Sequence, residues 1–364
     1  MKITEMIKRT KQAKREPQGP MKPRFVFQWH ITDACDQRCR HCYIYAEDSG
    51  KAGETMGFPE MRQVLANCLD FCDHLGYAPY FCITGGDPLL HPRFWDLAEL
   101  LSELKIPFSI LGNPFHLTDK VCRRLKKLGC KSYQLSIDGL EATHDALRKP
   151  GSYRETVDKI AMLNAAGLHS AVMTTVSRLN MDELPAVIEA MAAAKAGTYA
   201  FSRYCPTGAD KDVGIAPEEY KALLARCAET IRGLLNQGCT TVFGKKDHLW
   251  ILYDYERGAF KIPEDVDPGV IYGGCHCGQS HLTLLPNGDV YACRRVLNSK
   301  VGNALTDDLD LIWAGPMEAY RHYDQFRKCA GCELMPWCRG CPAVASAKDG
   351  DFYAPDPQCW KAVE

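Results

Sequence analysis

Three cysteines in DACDQRCRHCY, Cys35, Cys39 and Cys42, are spaced Cx3Cx2C and put three thiolates on one short loop. Three ligands suit an iron–sulfur cubane whose fourth iron stays open to an outside ligand, because structural zinc and 4Fe-4S sites ordinarily use four protein ligands. On spacing alone, a zinc site completed by His41 or His30 stays open too. A second constellation follows near the C-terminus: Cys275, Cys277, Gly288 and Cys293, then Cys329, Cys332, Cys338 and Cys341, and last Cys359. Its eight thiolates make two full sets of four, enough for two clusters or for two structural zinc ions.

Composition narrows what these thiols can be. The chain has 364 residues and 19 cysteines, opens without an apolar signal core, and has no apolar run near the ~20 residues of a membrane span. A cytoplasmic, reducing setting is therefore expected, where clustered thiols serve as metal ligands sooner than as disulfides. With 44 basic and 45 acidic side chains the net charge is -1, so no global field exists to hold nucleic acid.

The elements that must position the thiols are legible from Phe25 to Tyr204. Six β-rich runs, at 25–33, 80–85, 108–113, 133–138, 170–176 and 199–204, alternate with amphipathic helical stretches at 59–75, 92–104, 118–128, 153–166 and 181–194. This pattern predicts an α/β fold, a partial (β/α)6 barrel, with chemistry at the C-terminal ends of the strands. The expected organisation is a basic N-terminal extension (1–23), the barrel (24–212), a helical linker region (213–273) and a C-terminal cysteine-rich iron–sulfur domain (274–364). The last is poor in regular periodicity and would lean on metal for stability. Cys205, after the sixth run, stands where a barrel-mouth residue would face substrate as a redox or hydrogen-donor thiol, with simple packing as the alternative. Cys68, Cys72, Cys82, Cys122, Cys130, Cys227 and Cys239 read as core, and His116 and His144 as solvated loop residues. The basic Lys8–Pro17 stretch is a candidate docking arm for an acidic leader peptide, or a solvated face.

CDQRCRHCY resembles the signature of the radical S-adenosylmethionine (SAM) enzymes, and further family-like elements follow in order. ITGGDPLL resembles the glycine-rich SAM-binding motif, with Asp87 where glutamate is commoner; ILGNPFHLT resembles the third-strand element, and QLSIDGLEATHDALRKPGSY the fourth. The resemblance implies SAM contacts from Tyr43, Gly85, Gly86, Asp87, Asn113, Ser136, Asp138 and Arg148, beside a cluster held by Cys35, Cys39 and Cys42. The C-terminal spacing is similar to the SPASM-type auxiliary-cluster domain, with its final knuckle shortened and its first pair compressed to Cys275-His276-Cys277. It implies one auxiliary cluster on Cys277, Cys293 and Cys341 with Cys275 as a possible fourth ligand, and a second on Cys329, Cys332, Cys338 and Cys359. Three 4Fe-4S clusters, SAM, a reductant such as flavodoxin or ferredoxin, and a peptide or protein substrate are then expected. Peptide maturation, with thioether formation at cysteine, leads. Sulfatase-type maturation, a cofactor or haem biosynthetic step and a non-catalytic metal-binding module are the alternatives. Only 34 residues precede Cys35, too few for a separate leader-binding domain, so recognition would fall to the barrel, the basic arm or a partner.

Overall fold

The computed structural model describes residues 22–45, 53–206, 214–267 and 269–362, together with Ile3, Glu5 and Ile7. The basic Lys8–Pro17 arm lies outside the described residues.

Strand β1 (Arg24–Thr32) sets the frame through its alternation. Phe25, Phe27, Trp29 and Ile31 are fully buried on its outer face. There Phe25 and Phe27 meet Phe71 of the helix Phe58–Leu75 at ring distances of 5.1 and 6.3 Å. That helix starts with proline in its first turn and stops at Gly76, whose φ of 73° closes the C-terminal cap. The other face of β1 turns Gln28 and His30 toward the concave side of the sheet, as the period of two requires.

Strands β2 (Ala78–Gly85), β3 (Phe108–Leu111), β4 (Cys130–Ser136), β5 (His169–Val176) and β6 (Thr198–Arg203) follow in parallel, each beside its predecessor. All six predicted runs are strands. The sheet does not end there. In the segment read as a helical linker, the helix Pro217–Asn236 packs on Leu184–Ala193, and β7 (Val242–Gly244) adds a seventh parallel strand beside β6. Three residues carry too little pattern to show as a strand in the sequence. At the opposite edge β8 (His281–Leu284) pairs parallel with β1, and β9 (Asp289–Tyr291) and β10 (Lys300–Asn303) continue antiparallel. The cysteine-rich region is thus joined to the barrel through one ten-stranded sheet.

A buried ion network ties β6 to the C-terminal segment. Arg203, 1% exposed on β6, donates from Nε to Asp247 Oδ2 at 2.8 Å and from Nη1 and Nη2 to the carboxylate of Asp356 at 2.6 and 2.8 Å. Nη1 also reaches Gln358 Oε1 at 2.8 Å. Asp356 takes the Cys341 backbone N–H as well, at 2.7 Å. A buried arginine is tolerable only when its donors are answered this fully, which makes the seam between barrel and C-terminal region intolerant of losing one partner.

Candidate functional site

Cys35, Cys39 and Cys42 lie on the loop leaving β1, half-buried, at the C-terminal end of the strands. Donors point at their sulfurs. Cys35 Sγ receives the Gln37 N–H at 3.4 Å and Asn113 Nδ2 at 3.3 Å, and Arg148 Nη1 lies 3.7 Å from Cys39 Sγ. Burial pushes the Cys39 thiol up to about 11, with Arg148 pulling it back. Thiols so buried ionise only beside strong positive charge, so the N–H donors and the buried thiols together fit a metal cluster. Among the described residues no three thiols bring their sulfurs within 4.8 Å of one another. Neither histidine completes a zinc set. His41 Nε2 faces Asp138 Oδ2 at 3.2 Å, and His30 is fully buried on β1, held down to about 3 by burial and by Arg294.

The glycine pair braces this loop. At Gly85, with φ of 146°, an added Cβ would meet Thr32 O at 2.0 Å, and at Gly86 one would meet Ala34 O at 2.1 Å. The backbone N–H groups of Gly86 and Asp87 donate to those same carbonyls at 2.7 Å each. Only glycine allows the end of β2 to touch the chain entering the cysteine loop so closely. Asp87 is fully buried; its Oδ1 caps Leu89 N–H at 3.1 Å, its Oδ2 has no partner, and burial raises its carboxyl to about 6. Asn113 spans Cys35 and Asp36 through Nδ2, and its carbonyl accepts the Tyr133 hydroxyl.

Asp138 is the hub on the other flank. It is fully buried, and burial alone would raise its carboxyl. Arg148 at 2.5 Å, His41 at 3.2 Å and the Thr175 N–H at 2.7 Å more than reverse that, holding it well below the carboxylate range. Arg148 therefore clamps Cys39 to the end of β4. His144, expected to be solvated, is instead fully buried and accepts the Asp138 N–H on Nδ1 at 3.0 Å; burial holds it down to about 4. The reason is the helix Glu141–Leu147, which folds that imidazole under the turn after β4. His116 is 38% exposed, 3.3 Å from Asp36. Ser136 is half-buried at the end of β4. Near these residues a cleft is lined by Arg40, His41, Leu147, Thr175, Ser177 and Tyr204.

The C-terminal thiols form two groups. Cys275, Cys277, Cys293 and Cys341 are near enough to act on one another electrostatically, and both members of the CxC face this group. Cys329, Cys332, Cys338 and Cys359 form the other. Burial drives Cys275, Cys329 and Cys338 each to about 12. Cys205 does not open on the barrel mouth: it is 3% exposed, packs with Val296, Ala343 and Val344, and donates its S–H to Ala343 O at 2.9 Å. Tyr43 sits between His30, 6.0 Å away ring to ring, and the guanidinium of Arg294 at 5.2 Å. The roles of Arg203 and Asp356 had no signal in the sequence beyond proximity to cysteines, and His41, a zinc-ligand candidate there, pairs with Asp138 instead.

Two family models match: the Radical SAM superfamily over residues 29–191, and SPASM, an iron–sulfur cluster-binding domain, over 275–342. The mycofactocin maturase MftC of Mycobacterium ulcerans is 28% identical over 91% of this chain and 86% of that protein. The AdoMet-dependent heme synthase of Methanosarcina barkeri is 26% identical over 93% of this chain and 96% of that protein. Among solved structures, Streptococcus suis SuiB bound to the precursor peptide SuiA superposes with a TM-score of 0.71 at 18% identity, covering 99% of this chain and 79% of that one. Among the described residues no helix is long and apolar enough to cross a membrane.

Proposed function

Because this chain belongs to the radical SAM enzymes and carries a C-terminal SPASM iron–sulfur domain, we propose that it is a maturase that modifies a ribosomally made peptide. Cys35, Cys39 and Cys42 would hold the cluster, which with SAM bound would supply one-electron radical chemistry for hydrogen abstraction, driven by an outside reductant. The chain's own residues prepare that step. Gly85 and Gly86 press the end of β2 against the cysteine loop, Asn113 and Arg148 donate to its sulfurs, and Asp138 fixes Arg148. Fixing the loop from both flanks is what lets a reactive fragment meet one chosen hydrogen.

The observation that carries the peptide reading is the contact between the two thiol regions. Arg294, next to Cys293, lies over the ring of Tyr43, next to Cys42, which joins the cysteine loop to the C-terminal thiols. A maturase among the relatives that cover nine-tenths of the chain supports it. We assign two auxiliary clusters to the two C-terminal thiol groups, three clusters in all, and thioether formation at cysteine as the reaction. The second reading is a cofactor or haem biosynthetic step, favoured by the heme synthase relatives of similar coverage.

The test is 5'-deoxyadenosine release by anaerobically reconstituted protein with SAM and a strong reductant, compared with Cys39→Ala, followed by mass analysis of cysteine-containing peptides encoded beside the gene. Loss of two hydrogens from a peptide is the expected outcome. Release that is independent of Cys39, or turnover of a tetrapyrrole with every peptide unchanged, overturns the reading.

A further inference from the structure

Arg203 and Arg339 are both buried arginines, and only the first meets carboxylates. Arg203 takes Asp247 and Asp356. Arg339, 3% exposed, directs Nη1 to Met335 O at 3.3 Å and Nη2 to Cys275 O at 2.7 Å, both main-chain oxygens, and among the described residues it forms no ion pair. The Tyr323 ring lies 5.3 Å from its guanidinium. Carbonyl oxygens satisfy N–H donors and leave the positive charge unanswered, and a buried charge without an anion is strongly unfavourable.

The surroundings of Arg339 name the missing anion. In sequence it stands between Cys338, of one C-terminal thiol group, and Cys341, of the other. The segment leading into the CxC pair runs against it: the Tyr272 and Gly273 N–H groups both donate to Pro336 O, at 2.8 and 3.1 Å, and Gly274 passes Trp337 O where an added Cβ would stand 3.0 Å away. The charge of Arg339 therefore falls on Cys275 and Cys277. Arg295, two residues past Cys293, acts on Cys341, Cys293 and Cys275, and it too has no ion pair among the described residues. The other group stands among charges already answered. Of the carboxylates that act on it, Asp356 is held by Arg203 and Glu333 by Lys361 at 3.0 Å, while Lys328 is half-exposed and solvated.

We propose that Arg339 is the counter-charge of the auxiliary cluster on Cys275, Cys277, Cys293 and Cys341, and that it makes this cluster the more easily reduced of the two. This rests on the reading that both C-terminal thiol groups carry clusters. A cluster on four thiolates is anionic and gains a further negative charge on reduction, so a cation fixed beside it away from water raises its potential. Electrons in the C-terminal region then settle on the cluster that borders the cysteine loop, since Arg294, next to Cys293, lies over Tyr43. Arg339 is a positioning and tuning residue in this account, with its charge and its tether to Cys275 O as separable parts.

The test is a redox titration of anaerobically reconstituted full-length protein, without SAM or peptide, followed by electron paramagnetic resonance in wild type, Arg339→Gln and Arg339→Lys. Signals are assigned with Cys39→Ala and Cys332→Ala, each of which removes a ligand of one other cluster. The expected result is that the first auxiliary cluster is reduced before the second in wild type. Its midpoint should fall in Arg339→Gln and stay near wild type in Arg339→Lys, with the other two midpoints unmoved. An unmoved midpoint in Arg339→Gln, an equal fall in both auxiliary clusters, or a second cluster reduced before the first in wild type overturns the proposal. Should Arg339→Gln lose iron from the first group, full iron in Arg339→Lys, which keeps the charge without the fork, supports the counter-charge; loss in both variants leaves only the tether and overturns it. A wild type with no cluster on the first group would refute the two-cluster reading itself, whereas clusters present with an unmoved midpoint sink this proposal alone.

Discussion

Cys35, Cys39 and Cys42 stand within eight consecutive residues, whereas Cys275, Cys277, Cys293 and Cys341 are gathered from 67 residues of chain and Cys329 to Cys359 from 31. The first group needs only a loop of the right shape, and that shape comes from immediate neighbours: glycines that let β2 close in, an asparagine on one sulfur and an arginine beside another. The second depends on segments meeting only after the sheet has closed through β8 and the Arg203 network has locked. Damage near the loop should therefore stay local, and damage to the seam should spread.

The strongest way to break this comparison is at the seam. Asp356→Ala leaves Arg203 short of a buried carboxylate and the Cys341 N–H without its acceptor, a loss of about 3–5 kcal/mol. Denaturant unfolding should show a lower midpoint, and iron analysis should show both auxiliary groups depleted. Iron missing only from the Cys35 group would sink the argument. Gly86→Ala is the local counterpart. Its Cβ would sit 2.1 Å from Ala34 O, a clash on the order of 3 kcal/mol. The variant should lose 5'-deoxyadenosine release and the iron of the cysteine loop while keeping the auxiliary iron.

Acid sharpens the same contrast at intermediate size. Burial holds His144 down to about 4 in the folded chain against about 6.5 unfolded, so only the unfolded chain takes up this proton between those values. Stability is therefore present above about pH 6.5 and falls as the pH drops toward 4, by on the order of 2 kcal/mol at pH 5. Unfolding curves at pH 7.5 and 5, in wild type and His144→Gln, should show the pH dependence shrinking in the variant. The smallest effect is expected at Cys205→Ser. The hydroxyl keeps the bond to Ala343 O, so iron content and 5'-deoxyadenosine release should stay at wild-type levels; a large drop in release would return this thiol to the chemistry.

Much of the site was legible before any coordinates. Cysteine spacing marked the loop of three thiols and a C-terminal set of eight, and periodicity placed six strands. These features are written in neighbouring residues, where spacing alone carries the physics: a loop can offer three thiolates and a period of two can bury one face. The rest belongs to tertiary structure. β7 is three residues long, His144 is buried by a short helix, and Arg203, Asp247 and Asp356 meet across 153 positions of sequence. Whether a charge is paired or a thiol buried depends on which distant segments close over it, and desolvation has no signature in the local order of residues.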